Sequence, residues 1–201
     1  MAGLAEVVRS GVAVSDIGWL RLSLWRELIA GLFDHPLLTP ELEHIRTVRV
    51  DIARPGQTFR LTKAAYFCGW LAAMLDWEIT APLHEGEGDS CVGTFRRGRR
   101  DIKVEFRPVR GSLDSATHSA GSLMRVEIET NRAKAAVRAR ITRQRDHLLA
   151  TADWNGAQVN RRAGQLEEFA ETPFVAEALE RPGLDRIFER ALLRAVHFSG
   201  G

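Results

Sequence analysis

Residues 59 to 76, FRLTKAAYFCGWLAAMLD, constrain the fold more than any other stretch, because they read as a helix that is apolar nearly all round. Leu61, Ala65, Phe67, Cys68, Leu71, Met74 and Leu75 leave it no broad polar face. Such a helix has to lie deep, covered by a sheet. The spacing predicts it over roughly Phe59 to Asp76, with Tyr66 and Trp70 four apart on one side. Trp70 is expected in the core, its indole N–H satisfied locally.

The covering sheet is written as alternation. In TVRVDI, Val48, Val50 and Ile52 face one way while Thr47, Arg49 and Asp51 face the other. Thr39-Pro40-Glu41 starts a short helix just before it, with threonine as cap and proline at the first position, where its missing N–H is not needed. Beyond Trp77, three turn signals organise further strands. A loop at Gly98-Arg99 pairs Phe95 with Ile102, Gly93 with Val104 and Cys91 with Phe106, leaving Arg96 opposite Asp101 on the other face. A turn at Asn131-Arg132 sets Ile128 by Ala135, Val126 by Val137 and Met124 by Ala139, with Glu129 beside Lys134 outside. Asn155-Gly156, the strongest two-residue signal, joins Leu148 to Trp154 with Ala157 to Arg161.

Arg110 to Gly121 has small polar residues and no period, and reads as a loop within the sheet region. From Thr172-Pro173 onward two helices are expected, broken at Pro182-Gly183, the second burying Ile187, Phe188, Ala191, Leu192 and Ala195. The expected architecture is α+β: a mixed, mainly antiparallel sheet of about six or seven strands with helices packed on one side. Residues 1–14 form a short tail and 15–201 a single domain.

SDIGWLRLSLWRELIAGLFD, residues 15 to 34, reads as one helix capped by Ser15 or Asp16 and ended by Asp34-His35-Pro36. Leu22, Leu24, Trp25, Leu28, Ile29, Leu32 and Phe33 form its core arc, and Trp19, Ser23, Arg26, Glu27 and Ala30 its wetter side. Tryptophan and arginine are the types that most often anchor protein interfaces, the first through area, the second through planar donors. Two readings of Trp19 and Arg26 stay open. Either they form a contact surface, or Trp19 folds over the helix start while Arg26 pairs with a nearby carboxylate.

The spacing Trp19-x-Arg21-Leu22-x-x-Trp25-Arg26-x-x-x-Ala30-x-x-Phe33-Asp34 resembles the C-terminal domain of the OpcA family, the glucose-6-phosphate dehydrogenase assembly proteins. A second block, AAYFCGWLAAMLDW, with Tyr66, Gly69 to Ala72, Leu75 and Trp77, is similar to that family's second helix and the tryptophan after it. The blocks occur in the family's order, and weaker similarity extends over most of residues 15 to 198. The resemblance implies a non-enzymatic partner that binds glucose-6-phosphate dehydrogenase and promotes its assembly or activity, in the oxidative branch of the pentose phosphate pathway. It also implies Trp19, Arg21 and Arg26 as partner-binding residues, with Trp25, Phe33 and Trp70 supporting the helix. Family members usually have a separate domain before this one, and here about fourteen residues precede the motif.

Other chemistries leave little trace. There is no G-x-x-x-x-G-K-[ST] loop, and Gly86-Glu87-Gly88 sits in an acidic turn without the third glycine of a dinucleotide fingerprint, so no NADP or other cofactor is expected. The six histidines show no H-x-x-x-H pairing, and the acids around His84-Glu85 are not spaced to enclose an ion, so no metal is expected. No G-x-S-x-G elbow accompanies a serine, and no catalytic residue is assigned. Cys68 and Cys91 fall on a buried helix and a strand, without a disulfide or zinc pattern. The longest apolar run, Ala64 to Leu75, is too short for a bilayer, which needs about 20 residues. No charged n-region and apolar h-region open the chain, so a cytoplasmic location is expected.

Arginine-rich strands supply the alternative. RRGRRDIKVEFR and RARITRQR project Arg97, Arg99, Arg100, Arg138, Arg140, Arg143 and Arg145, which could track nucleic acid or hold a sugar phosphate. Against this, the net charge is only +2, no aromatics interleave the arginines, and Glu105, Glu127 and Glu129 share the surface. A salt-bridged sheet face is the expected state.

Overall fold

The computed structural model describes residues 1–56, 59–109, 120–132, 135–166 and 185–200. Within them lie five α-helices and eight strands: α1 (Ala2–Arg9), α2 (Ile17–Leu20), α3 (Ser23–Phe33), β1 (Ile45–Ala53), α4 (Thr62–Met74), β2 (Glu78–Glu85), β3 (Cys91–Arg97), β4 (Arg100–Val109), β5 (Leu123–Thr130), β6 (Val137–Arg143), β7 (His147–Trp154), β8 (Ala157–Gln165) and α5 (Arg186–Phe198). The strands make one sheet in the order β2-β3-β4-β1-β5-β6-β7-β8. Among these strands only β1 and β4 run parallel; every other pair is antiparallel. The expected α+β class holds, with one strand more than the upper expectation. The first of the two helices expected from Thr172-Pro173 onward lies outside the described residues, as do residues 110–119 of the loop expected over Arg110 to Gly121.

One sheet face is apolar because every second residue is. Val48, Val50, Ile52, Val104, Phe106, Val126, Ile128, Ala139, Ile141, Ala150 and Ala152 are all buried there. α4 and α5 pack against each other on this side of the sheet, and Phe198 of α5 reaches the sheet face itself, 4.3 Å from Phe95 and edge-on to Phe106. The two helices touch at backbone level: a Cβ added to Gly69 would stand 2.3 Å from the Ala191 carbonyl oxygen. α3 packs over β6, β7 and β8.

Turn chemistry explains where the registers succeeded and failed. The β3–β4 hairpin is as expected, with Phe95 by Ile102, Gly93 by Val104, Cys91 by Phe106 and Arg96 by Asp101, around Gly98 at φ +59°. Asn155 and Gly156, both at positive φ, join β7 to β8 as expected. The β5–β6 pairing is corrected by four residues: Ile128 faces Ala139, Val126 faces Ile141 and Glu129 faces Arg138. A wider connection intervenes, where the Val137 N–H donates to Thr130 Oγ1 and Arg132 bridges Ala135. Lys134 lies outside the described residues.

Several local expectations are also corrected. Residues 2–9 form helix α1 rather than a plain tail, burying Ala5 and Val8 and packing against α5. The 15–34 helix is two helices, α2 and α3, separated at Arg21-Leu22. The apolar helix starts at Thr62, and Met74 is exposed on its last turn. Thr39 does not cap the short 3-10 helix Thr39–His44; its hydroxyl donates to the carbonyl oxygens of Phe33 and His35. Ile187 is exposed, since α5 starts only at Arg186 and turns that side outward.

Candidate functional site

Asp16 organises the region the sequence singled out. Its Oδ1 accepts the Trp19 backbone N–H and caps α2, and its Oδ2 accepts the Tyr66 hydroxyl at 3.3 Å. Burial first, then the Asp16 charge and this hydrogen bond, push the Tyr66 phenol above its ordinary range, so it remains a donor. Tyr66 meets Phe188 edge-on, and the Trp19 ring lies 5.4 Å from Phe188.

Trp19 is therefore not on the wetter side: it is only 2% exposed. The break after Leu20 removes Trp19 from the face that a continuous helix would give it, and its ring turns inward over α5. Its indole Nε1 donates to Asp185 Oδ2 at 2.9 Å. Arg26 follows it. The guanidinium carbon stands 3.6 Å from the Trp19 ring centroid, and Nη2 donates to Ser23 Oγ at 3.1 Å. The arrangement is a cation held over an indole, with Arg26 half-buried.

Trp19, Arg26, Ser23, Glu27, Trp70 and Asp185 line a cleft of about 500 Å³ between α2, α3 and α4. Trp70 is only half-buried and forms part of this wall, with its ring 5.5 Å from Phe67, which corrects its expected place in the core. Trp25 and Phe33, each 3% exposed, lie on the buried side of α3. Arg21 is half-buried at the α2 end, outside this cleft's lining. Burial, then the charges of Arg21 and Arg143, lower the Lys63 ammonium, with Asp16 acting the other way. The site thus presents the Arg26 guanidinium over a buried indole, the half-buried Trp70 indole and the carboxylates of Glu27 and Asp185. Sequence reasoning missed Asp185, which lies 166 residues from Trp19 and has no local signal.

The open sheet face is a charged lattice. Across one row, Glu105, Arg49, Glu127 and Arg140 stand on four neighbouring strands with alternating sign. Arg49 Nη1 lies 2.8 Å from Glu129 and 3.1 Å from Glu127, and Arg140 lies 2.9 Å from Glu127. Arg138 pairs with Glu129 at 3.0 Å, and Asp51 is held between Arg107 and Arg125. Burial opposes the charge on Arg49, but Glu129 and Glu127 outweigh it and raise its pKa. The salt-bridged face is the state expected from sequence. Among the described residues, no group of three metal-ligating side chains converges, and no helix is long and apolar enough to cross a membrane. Cys68 and Cys91 are free thiols.

A single twisted sheet, open on its polar side and roofed by helices on the other, places the molecule among two-layer α+β domains. The chain belongs to the family described as the C-terminal domain of the glucose-6-phosphate dehydrogenase subunit, and that family's model matches residues 12–192. It is 24% identical over 194 residues to the Nostoc punctiforme protein named "Putative OxPP cycle protein OpcA", a match spanning 94% of this chain and 40% of that one. A Synechocystis protein of the same name is 31% identical over 74 residues, 37% of this chain and 15% of its own. The chain thus spans well under half the length of these relatives. Among solved structures, the 3-ketoreductase KijD10 of Actinomadura kijaniata, in complex with NADP, is similar at TM-score 0.51 and 14% identity, over 92% of this chain and 57% of that one. That likeness concerns the fold alone.

Proposed function

We propose that this chain is a non-enzymatic partner of glucose-6-phosphate dehydrogenase, acting in the cytoplasm and promoting the enzyme's assembly or activity in the oxidative pentose phosphate pathway. The observation that supports it is the family match over residues 12–192, which includes both sequence blocks. The cleft supplies a physical basis. Arg26 is the contact group, Trp19 the platform that fixes it, and Arg21 sets the junction between α2 and α3. A guanidinium already stacked loses less freedom on docking than a solvated one, which favours its use at an interface.

The test is a binding titration of the chain against the dehydrogenase from the same organism, with the enzyme's activity followed in parallel. Arg26→Ala keeps the buried Trp19 in place and is expected to weaken binding at least about tenfold, equivalent to roughly 1.4 kcal/mol. Absence of binding by the unmodified chain would refute the reading; undiminished affinity in a folded Arg26→Ala chain would remove Arg26 from it.

A further inference from the structure

The two ends of the sheet are built differently. β2 contains Pro82, which has no N–H to donate, and slips register twice against β3, features that discourage further pairing. β8 has neither proline nor more than one shift, located beside its hairpin turn. It is nine residues long and largely exposed, and its Gly164 leaves room for Leu24 of α3 against its inner face. Asn160 Nδ2 donates to the carbonyl oxygens of Leu32 at 3.1 Å and Gly31 at 3.4 Å, pinning the strand to α3. Among the described residues no strand pairs with its outer edge.

Charge selects the occupant. Arg161 and Arg162 are exposed and have no ion pair with a described carboxylate; they stand on opposite faces, Arg161 on the open face and Arg162 on the α3 side, its guanidinium against Gly31. Arg161 continues the lattice row through Thr151: Glu105, Arg49, Glu127, Arg140, Thr151, Arg161. The residue that would extend this row on a ninth strand is an acid. A second copy of β8 is disfavoured, because Arg161 is the midpoint of the strand and antiparallel self-pairing about it would set arginine against arginine.

We propose that β8 is a strand-addition site for an extended acidic segment of the dehydrogenase, its carboxylates at successive positions meeting Arg161 and Arg162. This rests on the partnership proposed above. Main-chain bonds along β8 give the attachment, and the arginine pair chooses the partner's sequence.

The experiment uses the full chain with the dehydrogenase of the same organism. Amide hydrogen exchange is followed over residues 157–165, and affinity is measured for Arg161→Glu/Arg162→Glu, Arg161→Lys/Arg162→Lys and Arg99→Glu, the last reversing an exposed charge at another hairpin. The proposal expects slowed exchange along β8 on binding, at least about tenfold weaker binding of the Glu pair, and little change in the Lys pair or Arg99→Glu. A melting temperature for the Glu pair equal to that of the unmodified chain shows that its loss is not unfolding. Binding with unchanged β8 exchange, or equal affinity of the Glu pair, overturns the strand-addition site and leaves the partnership standing. No binding by the unmodified chain overturns both.

Discussion

One carboxylate joins Trp19 to the start of α5. Asp185 Oδ2 accepts the Trp19 indole N–H at 2.9 Å, and Oδ1 accepts the backbone N–H groups of Ile187 and Phe188. A residue at one end of the chain thereby fixes a helix at the other.

Replacing Asp185 with alanine is expected to cost about 2–4 kcal/mol, from a lost helix cap of about 1 and an unpaired buried indole donor of about 1–3. Urea unfolding measures it. Repeating the change in a Trp19→Phe background should recover about 1 kcal/mol or more of that loss, because the orphaned donor is gone. A cost under about 0.5 kcal/mol in the Trp19 background would show that the bond does not couple the helices.

Gly69→Ala gives a test of the α4–α5 crossing. Helix propensity alone favours alanine by about 1 kcal/mol. The added methyl, however, would meet the backbone carbonyl of Ala191, which no side-chain rotation can relieve. Net destabilisation of about 2–3 kcal/mol, or more, is expected in thermal or urea unfolding. A stabilised variant would mean that the helices separate freely.

Glu127 makes part of the stability acid-sensitive. Burial opposes its ionisation, yet hydrogen bonds and charge from Arg140, Arg138 and Arg49 prevail and hold its pKa below the ordinary 4.5. The native state thus binds its proton less readily than the unfolded chain, so the stabilisation is present above about pH 4.5 and is lost as pH falls through the lowered native value. Denaturant midpoints between about pH 3 and 7 should fall less steeply for Glu127→Gln than for the unmodified chain. Parallel pH profiles would contradict the pairing.

The thiols differ in access. Cys68 is fully buried and burial raises its thiol pKa; burial, then Glu85, raises that of Cys91, which is only half-buried. A thiol-exchange reagent at neutral pH should therefore label Cys91 slowly and Cys68 only on unfolding, read by mass spectrometry. Rapid native labelling of Cys68 would contradict its burial.

The apolar helix, the alternation of β1 and the tight hairpins were legible because each depends on neighbours in sequence. Gly98 and the Asn155-Gly156 pair set their registers locally. The β5–β6 pairing was not legible: a slip of four residues keeps every apolar side chain on the same face, so alternation could not reject it. Charge held the clue, since the observed register gives Glu127 and Glu129 to Arg140 and Arg138. Trp19 was misplaced because no proline marks the break at Arg21-Leu22, and its acceptor, Asp185, is remote. Arg26, read as part of the wetter side, lies over the Trp19 indole and donates to Ser23.

The parallel pairing of β1 with β4 has a further consequence. β1 is the seam between two meanders, β2 to β4 on one side and β5 to β8 on the other. β1 must wait for both, and its parallel neighbour arrives only after a helix and two strands have intervened. Cutting the chain between β4 and β5 would leave β1 stranded with one half and give the other a bare apolar flank, so neither piece should be a self-sufficient folding unit.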